Sequence, residues 1–188
     1  MKQRAGGDAA APAAAAPAAA AAGAPASSGG SDIVGTLGGL QGPGQVWGAD
    51  GIAVGKEEND LKGYENFGKF LGAMQSTGVA AELGAGPYTV FAPTDPACES
   101  FELLKGPLTA ENIKMHIVAG KFSSTDLPTA ALKALDGTDL TYRYAVRKHF
   151  VCDAIIGEKT FGPYDDYPID VECDNGVIHS VGFNFGFY

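Results

Sequence analysis

The stretch "YTVFAPTDPACESF", residues 88–101, changes character halfway along. Its first half is apolar, β-branched and aromatic (Thr89, Val90, Phe91), which is the composition of a half-buried or buried strand. Pro93 stops that strand, because proline brings no N–H to a ladder. Thr94 then stands where a helix N-cap belongs, Pro96 suits a first turn, and Asp95 and Glu99 favour the positive end of a helix. The reading is a strand that switches into a helix across Pro-Thr-Asp, with Cys98 just past the turn.

Upstream, Phe67, Phe70, Leu71, Met74, Val79 and Leu83 recur at helical spacing. They predict an amphipathic helix over "ENFGKFLGAMQSTG", closed by Gly78. A stripe of this kind is core before it is a cofactor box. "SDIVGTLGGL" predicts a short helix capped by Ser31 or Asp32. Between these two, residues 41–64 are glycine-rich, lack periodicity and read as a long loop carrying Trp47, the only tryptophan. Downstream, "TAENIKMHIVAG" reads as a short helix capped by Thr109 that runs into an apolar strand. From Asp139 the pattern turns to strands: "LTYRYAV", "HFVCDAII", "YPIDVEC" and "GVIHSVGFNF". Helices first and strands later define an α+β domain.

Composition narrows the function. The 188 residues carry a net charge of −9 and 45% hydrophobic residues, enough apolar material for a core. Excess acid argues against nucleic acid and against an anionic membrane surface, both of which select clustered Lys and Arg. No apolar run approaches the roughly 20 residues of a spanning helix. Three cysteines (Cys98, Cys152, Cys173) are too few for a disulfide scaffold and lack CxxC zinc spacing. Cys152 and Cys173 fall in neighbouring strand candidates, so either a bridge or two reduced core thiols fits the sequence. Residues 1–30 are almost wholly Ala, Pro, Gly and Ser; repeated prolines break helix and nothing there buries surface, so the segment reads as an extended arm. A cleavable leader is the alternative, with Lys2 and Arg4 as its charged end, but its centre is too proline-rich.

Three of these stretches together resemble a known family. "YTVFAPTDPACESF" resembles the first signature of fasciclin-like domains, and "NGVIHSVGFNF" (175–185) the second. "MHIVAGKFSSTDL" (115–127) resembles the short central motif, with Met115 in place of the usual Tyr. They occur in order over residues 31–188. The resemblance implies a single wedge with a β-sandwich-like core and helices packed on one side. It also implies a non-enzymatic interaction module whose central histidine is structural. Cys98 stands where the family usually carries a large apolar residue, which makes it a core position.

Candidate chemistry is sparse. His116 and His179 fall on motif positions, and a metal or small-ligand site at either is the sharp alternative; no second ligand pair or nucleophile accompanies them. His149 lies beside Arg147 and Lys148 in an expected exposed basic patch. Asp165, Asp166, Asp170, Glu172 and Asp174 are dense enough to suggest calcium, but lack an EF-hand's glycine and terminal Glu, so a solvated acidic loop is the simpler reading. No cofactor is expected. The expected partners are other protein subunits of a large assembly, with Trp47, Tyr64, Phe187 and Tyr188 as contact residues.

Fasciclin-like domains resemble both adhesion and matrix proteins and accessory (linker-type) polypeptides of algal photosynthetic antennae. A single domain with an Ala/Pro arm and no Asn-X-Ser/Thr acceptor fits a plastid, thylakoid-associated accessory subunit, with a secreted adhesion protein as the alternative. An arm of about 30 residues at roughly 3.1 Å each reaches on the order of 90 Å, well past one small domain. Deleting residues 1–30 should leave the melting temperature of the remaining domain nearly unchanged while weakening its retention in the assembly. Unfolding of the truncated chain, or full retention, would show that the arm is no tether.

Overall fold

The structure, a computed structural model, describes residues 31–42, 66–84, 86–158 and 167–186. The arm, most of the 41–64 loop, Asp165 and Asp166, and the expected contact residues Trp47, Tyr64, Phe187 and Tyr188 lie outside the described residues. In chain order the elements are α1 (Ile33–Gly39), α2 (Gly68–Ser76), α3 (Val79–Glu82), β1 (Tyr88–Pro93), α4 (Asp95–Lys105), α5 (Ala110–Met115), β2 (Ile117–Ala119), β3 (Tyr142–Ala145), β4 (Lys148–Val151), β5 (Ala154–Ile156), β6 (Val171–Cys173) and β7 (Gly176–Val181). After Asp139 every described element is a strand.

Local chemistry explains most helix ends. Asp32 caps α1, its carboxylate accepting from Gly35 N at 2.8 Å. Thr109 and Asn112 form a reciprocal capping box on α5. Thr94 occupies the N-cap position of α4, where its carbonyl accepts from Cys98 N at 3.0 Å, but its hydroxyl makes no capping bond. Asp95 instead turns away from its own helix: its carboxylate accepts from Lys69 N at 2.8 Å and so caps α2, which has no side-chain cap of its own. Gly78, in the left-handed region at φ 81°, ends α2's run and leads into the separate turn of α3.

One seven-stranded mixed sheet runs β2-β1-β7-β5-β4-β3, with β6 also on β7. At its centre β1 and β7 are parallel, in register from Tyr88↔Gly176 to Pro93↔Val181. Pro93 is therefore the last paired residue of the strand. β7 is wholly buried and β1 nearly so, and their side chains alternate between two cores. Val90, Ala92 and Ile178 face the helices, against Ile33, Phe70 and Met74. Phe91 and Val181 face the other way, against Leu127, Val151 and Phe185. Burial on both faces is why neither "YTVFA" nor "GVIHSV" alternates apolar with charged residues, and why the polar Thr89, His179 and Ser180 within them are themselves buried and hydrogen-bonded.

One expectation is corrected here. "HFVCDAII" is not one strand: it folds back at Cys152-Asp153, whose φ values of 47° and 64° make a left-handed two-residue turn between β4 and β5. A second such turn at Val146-Arg147 (φ 50° and 60°) joins β3 to β4, so the three strands form a meander. Of the two readings open for Cys152 and Cys173, the structure shows the reduced one; all three thiols are free. Cys173 packs into the helix-side core and Cys152 against the opposite one, so the sheet separates them.

Gly176 is the tightest point of the central pair. A Cβ there would lie 2.0 Å from Tyr88 O and 2.8 Å from Ile33 Cδ1. Because the first obstacle is backbone on the partner strand, relaxation would move β1 against β7. Gly176→Ala should cost about 3 kcal/mol, at the upper end of overpacking, read as a lowered urea midpoint. An unchanged midpoint would contradict the parallel register.

Candidate functional site

His116 caps the C-terminal end of α5 and is fully buried. Its Nδ1–H donates to Asn112 O at 2.8 Å, and its Nε2 accepts from Phe185 N at 2.9 Å. The partners fix the tautomer, since a carbonyl only accepts and an N–H only donates. The ring stacks on Phe185 at 4.4 Å between centroids, with Phe70 edge-on at 5.5 Å. Burial pushes its pKa down to about 4, outweighing the Asn112 hydrogen bond and the distant Asp136 charge. The imidazole is neutral, and neither nitrogen keeps a lone pair for a metal.

His179, on β7, is the mirror case. It too is fully buried, and its Nε2–H donates to Phe122 O at 2.8 Å while Nδ1 accepts from Asp170 N at 3.2 Å. The Asp170 carboxylate lies 3.8 Å from Nδ1, but the main-chain N–H already occupies that nitrogen, so the two do not form an ion pair. Asp170 spends its carboxylate on Ser124, accepting from N at 2.6 Å and from Oγ at 2.5 Å. Burial lowers the His179 pKa, opposed by the Phe122 hydrogen bond and Asp170. Opposite tautomers thus serve one purpose: each ring joins two segments distant in sequence.

Asn175, unremarked as a single residue in the sequence although it heads the second motif, is a third such clip. Its Oδ1 accepts from Ile33 N at 2.8 Å, Nδ2 donates to Leu83 O at 3.3 Å, and its backbone carbonyl accepts from Tyr88 N at 3.0 Å. One residue therefore holds α1 and the end of α3 through its side-chain amide, and the start of β1 through its backbone carbonyl. The signal available was its place before Gly176; its partners are long-range and invisible locally.

The remaining candidates are dispersed. Cys98 is completely buried, with its thiol pKa pushed up to about 12 by desolvation and by the nearby carboxylates Asp95, Glu102 and Glu99. His149 is half-buried, unlike the exposed patch expected: Tyr142 OH lies 2.9 Å from its Nδ1 and Tyr144 packs edge-on at 5.1 Å. Of its neighbours, Lys148 pairs with Glu158 at 3.0 Å and Arg147 is exposed. Among the acidic residues, Glu172 reaches Lys121 at 3.3 Å and Asp170 is bound to Ser124, and among the described residues no group of three His, Cys, Asp or Glu side chains is arranged to hold a metal ion.

The sheet is mixed, with helices on one face, and its buried histidines are committed to internal hydrogen bonds. The fasciclin domain family model matches residues 65–182, and the chain belongs to that family. It is similar to protein sll1483 of Synechocystis sp., 28% identical over 129 residues that cover 63% of this chain and 66% of that one. It is similar also to the uncharacterized protein sll1735 of the same organism, 30% identical over 132 residues, or 62% of this chain and 86% of that one. A solved FAS1 domain pair from the insect cell adhesion molecule Fasciclin I aligns with a TM-score of 0.48 at 14% identity, over 63% of this chain and 44% of that chain. The chain thus spans just under two thirds of the first relative's length and less than half of the insect pair. Helix α1, which precedes the matched span, packs into the same core. Fasciclin domains are interaction or adhesion-type modules and are generally non-enzymatic.

The neutral His116 makes stability depend on pH. Its folded pKa near 4 lies below the unfolded value of about 6.5. Between these values the unfolded chain binds a proton that the folded chain refuses, so stability is complete above about pH 6.5 and falls as pH drops toward 4. The loss from this one residue should be on the order of 3 kcal/mol, with His179 acting in the same direction. Urea unfolding at pH 7.5 and 4.5 measures it. His116→Phe should be less stable at neutral pH, through the orphaned Phe185 N–H, yet lose less on acidification. An equal acid loss in the variant would show that His116 is not the titrating group.

Proposed function

We propose that this chain is a non-catalytic accessory subunit whose fasciclin domain docks on other proteins of a larger assembly. The observation that supports this best is the commitment of His116 and His179: each has both ring nitrogens in internal hydrogen bonds. A metal or small-ligand site at either histidine would require breaking the links that join distant segments. Exposed apolar side chains lie elsewhere, Leu103 and Leu104 on α4 and Val146 beyond β3, where an interaction module makes contacts. No described helix is long and apolar enough to cross a membrane.

The particular setting, a thylakoid-associated photosynthetic antenna complex with a linker-like role, is the finer part of the proposal. It rests on the sequence resemblance and on residues 1–30 and 41–64, which would extend the domain's reach to neighbouring subunits. Affinity isolation of the tagged chain from its native source, followed by mass spectrometry, tests both levels. Antenna polypeptides in stoichiometric yield are the expected result. Recovery on the cell surface or in the matrix would replace the antenna reading with adhesion. A chain that sediments alone in every fraction would overturn the accessory-subunit reading.

A further inference from the structure

The two ends of the sheet are finished differently. Beyond β2 the edge is closed: Val118 bridges to Ala134, and Ile117 O accepts from Leu135 N at 2.8 Å. Beyond β3 no described segment pairs. The two-residue turn at Val146-Arg147 fixes which groups are open. Ala145 opposes Lys148 and Arg143 opposes Phe150, the hydrogen-bonded pairs of such a hairpin, and Cys152 N→Thr141 O at 3.0 Å continues the same alternation. The N–H and C=O groups of Tyr142 and Tyr144 therefore point away from β4, off the edge of the sheet.

The side chains along this edge sort by face. Tyr142 and Tyr144 lie on one face beside His149, with Tyr144 59% exposed. Arg143 lies on the other face, its guanidinium 4.6 Å above the Phe150 ring and 3.0 Å from Asp153. That ion pair is solvent-exposed on both sides and so holds Arg143 weakly. Arg143, Arg147 and Lys148 are the charged residues between Leu140 and Cys152, a basic segment on a chain of net charge −9. Native edges are blunted by short strands, charge, proline, a bulge or a covering loop. β3, four residues long with Arg143 at its middle, uses only the first two, so its charge selects an acidic partner. It has neither proline nor bulge and carries exposed Val146 at its tip.

We propose that β3 is a docking edge for an extended segment of another protein whose side chains alternate between apolar and acidic. The segment pairs antiparallel with Tyr142 and Tyr144 through two N–H and two C=O groups, a β-augmentation. Its apolar residues lie beside the tyrosines. An acidic residue falls opposite Arg143, in the closer, non-hydrogen-bonded type of pair. A second copy of this chain is the wrong occupant, because a two-fold antiparallel pairing on the same groups sets Arg143 against Arg143. An anionic lipid surface would use the charge but leave the backbone groups unpaired. The proposal rests on the reading of this chain as a protein-interaction module and names the surface and the partner's chemistry.

The experiment uses the full chain and a blocked heptapeptide of alternating valine and glutamate, with two controls: lysine replacing glutamate, and the same composition in block order. Amide hydrogen exchange by NMR should show Tyr142 and Tyr144 gaining protection on titration while Arg143 and Ala145 change little. Arg143→Glu should weaken binding by about tenfold or more, as for a reversed charge at a steering contact. Tyr144→Pro removes an N–H that makes no bond within the sheet and should abolish binding with the melting temperature nearly kept; if that variant fails to fold, Arg143→Glu and the exchange pattern still decide. Equal binding of the lysine or block peptide, or protection without the two-residue alternation, overturns the proposal. So does self-association that Arg143→Glu alters, or tighter binding to vesicles of 30% phosphatidylserine that Tyr144→Pro leaves unchanged. Loss of the peptide site with co-purifying partners intact would refute this edge and leave the interaction-module reading standing.

Discussion

The parallel pairing of β1 with β7 is the constraint on which the rest depends. Parallel neighbours cannot be joined by a hairpin, so the chain between them must leave the sheet and return. On the way it lays α4 and α5 on the helix side and sends β3, β4 and β5 round the other, and both faces of the central pair become buried. That is why the pair tolerates no Cβ at Gly176, where Tyr88 O already fills the space. It is also why Thr89, Phe91, Ile178 and Ser180 can be nearly inaccessible in strands of only six residues.

Closing a sheet over such separations leaves polar backbone near the core, and the buried side chains answer it. His179 stands on β7 and takes up Phe122 O and Asp170 N; His116 takes up Asn112 O and Phe185 N; Asn175 binds Ile33 N and Leu83 O. An unpaired buried N–H or C=O costs on the order of 1–3 kcal/mol, so each clip converts a liability into a tether between segments. The cost appears as a depressed imidazole pKa. Chemistry at these rings would compete with the fold, which is the physical basis for seeing the domain as a scaffold whose contacts lie on its rim. The closed β2 edge and the β3 edge, on which no described segment pairs, give that rim a direction.

Local patterns carried far in this sequence. The apolar stripe from Phe67 to Leu83 lies in the core or packs against it, the Thr109 cap forms, and the strand-to-helix switch at Pro93-Thr94-Asp95 is real. Each depends on residues within a turn or two of one another, where propensity and periodicity act. The hairpin turns escaped, because Val146-Arg147 and Cys152-Asp153 lack the glycine or asparagine that usually marks a left-handed pair. There the meander's pairing, not turn chemistry, holds the backbone.

The amino-acid sequence by itself determined the α+β class, the fasciclin family, the buried place of Cys98 and the motif histidines. These follow from apolar period, capping residues and short motifs, all local quantities. Tertiary structure alone decided that Asp95 caps α2 across from its own helix, and that Cys152 and Cys173 fall on opposite sides of the sheet. It alone settled which tautomer each histidine adopts and which backbone groups of β3 face outward. Those outcomes depend on strand register and on partners remote in the chain, and a hydrogen bond between distant residues leaves no periodicity in the sequence that encodes it.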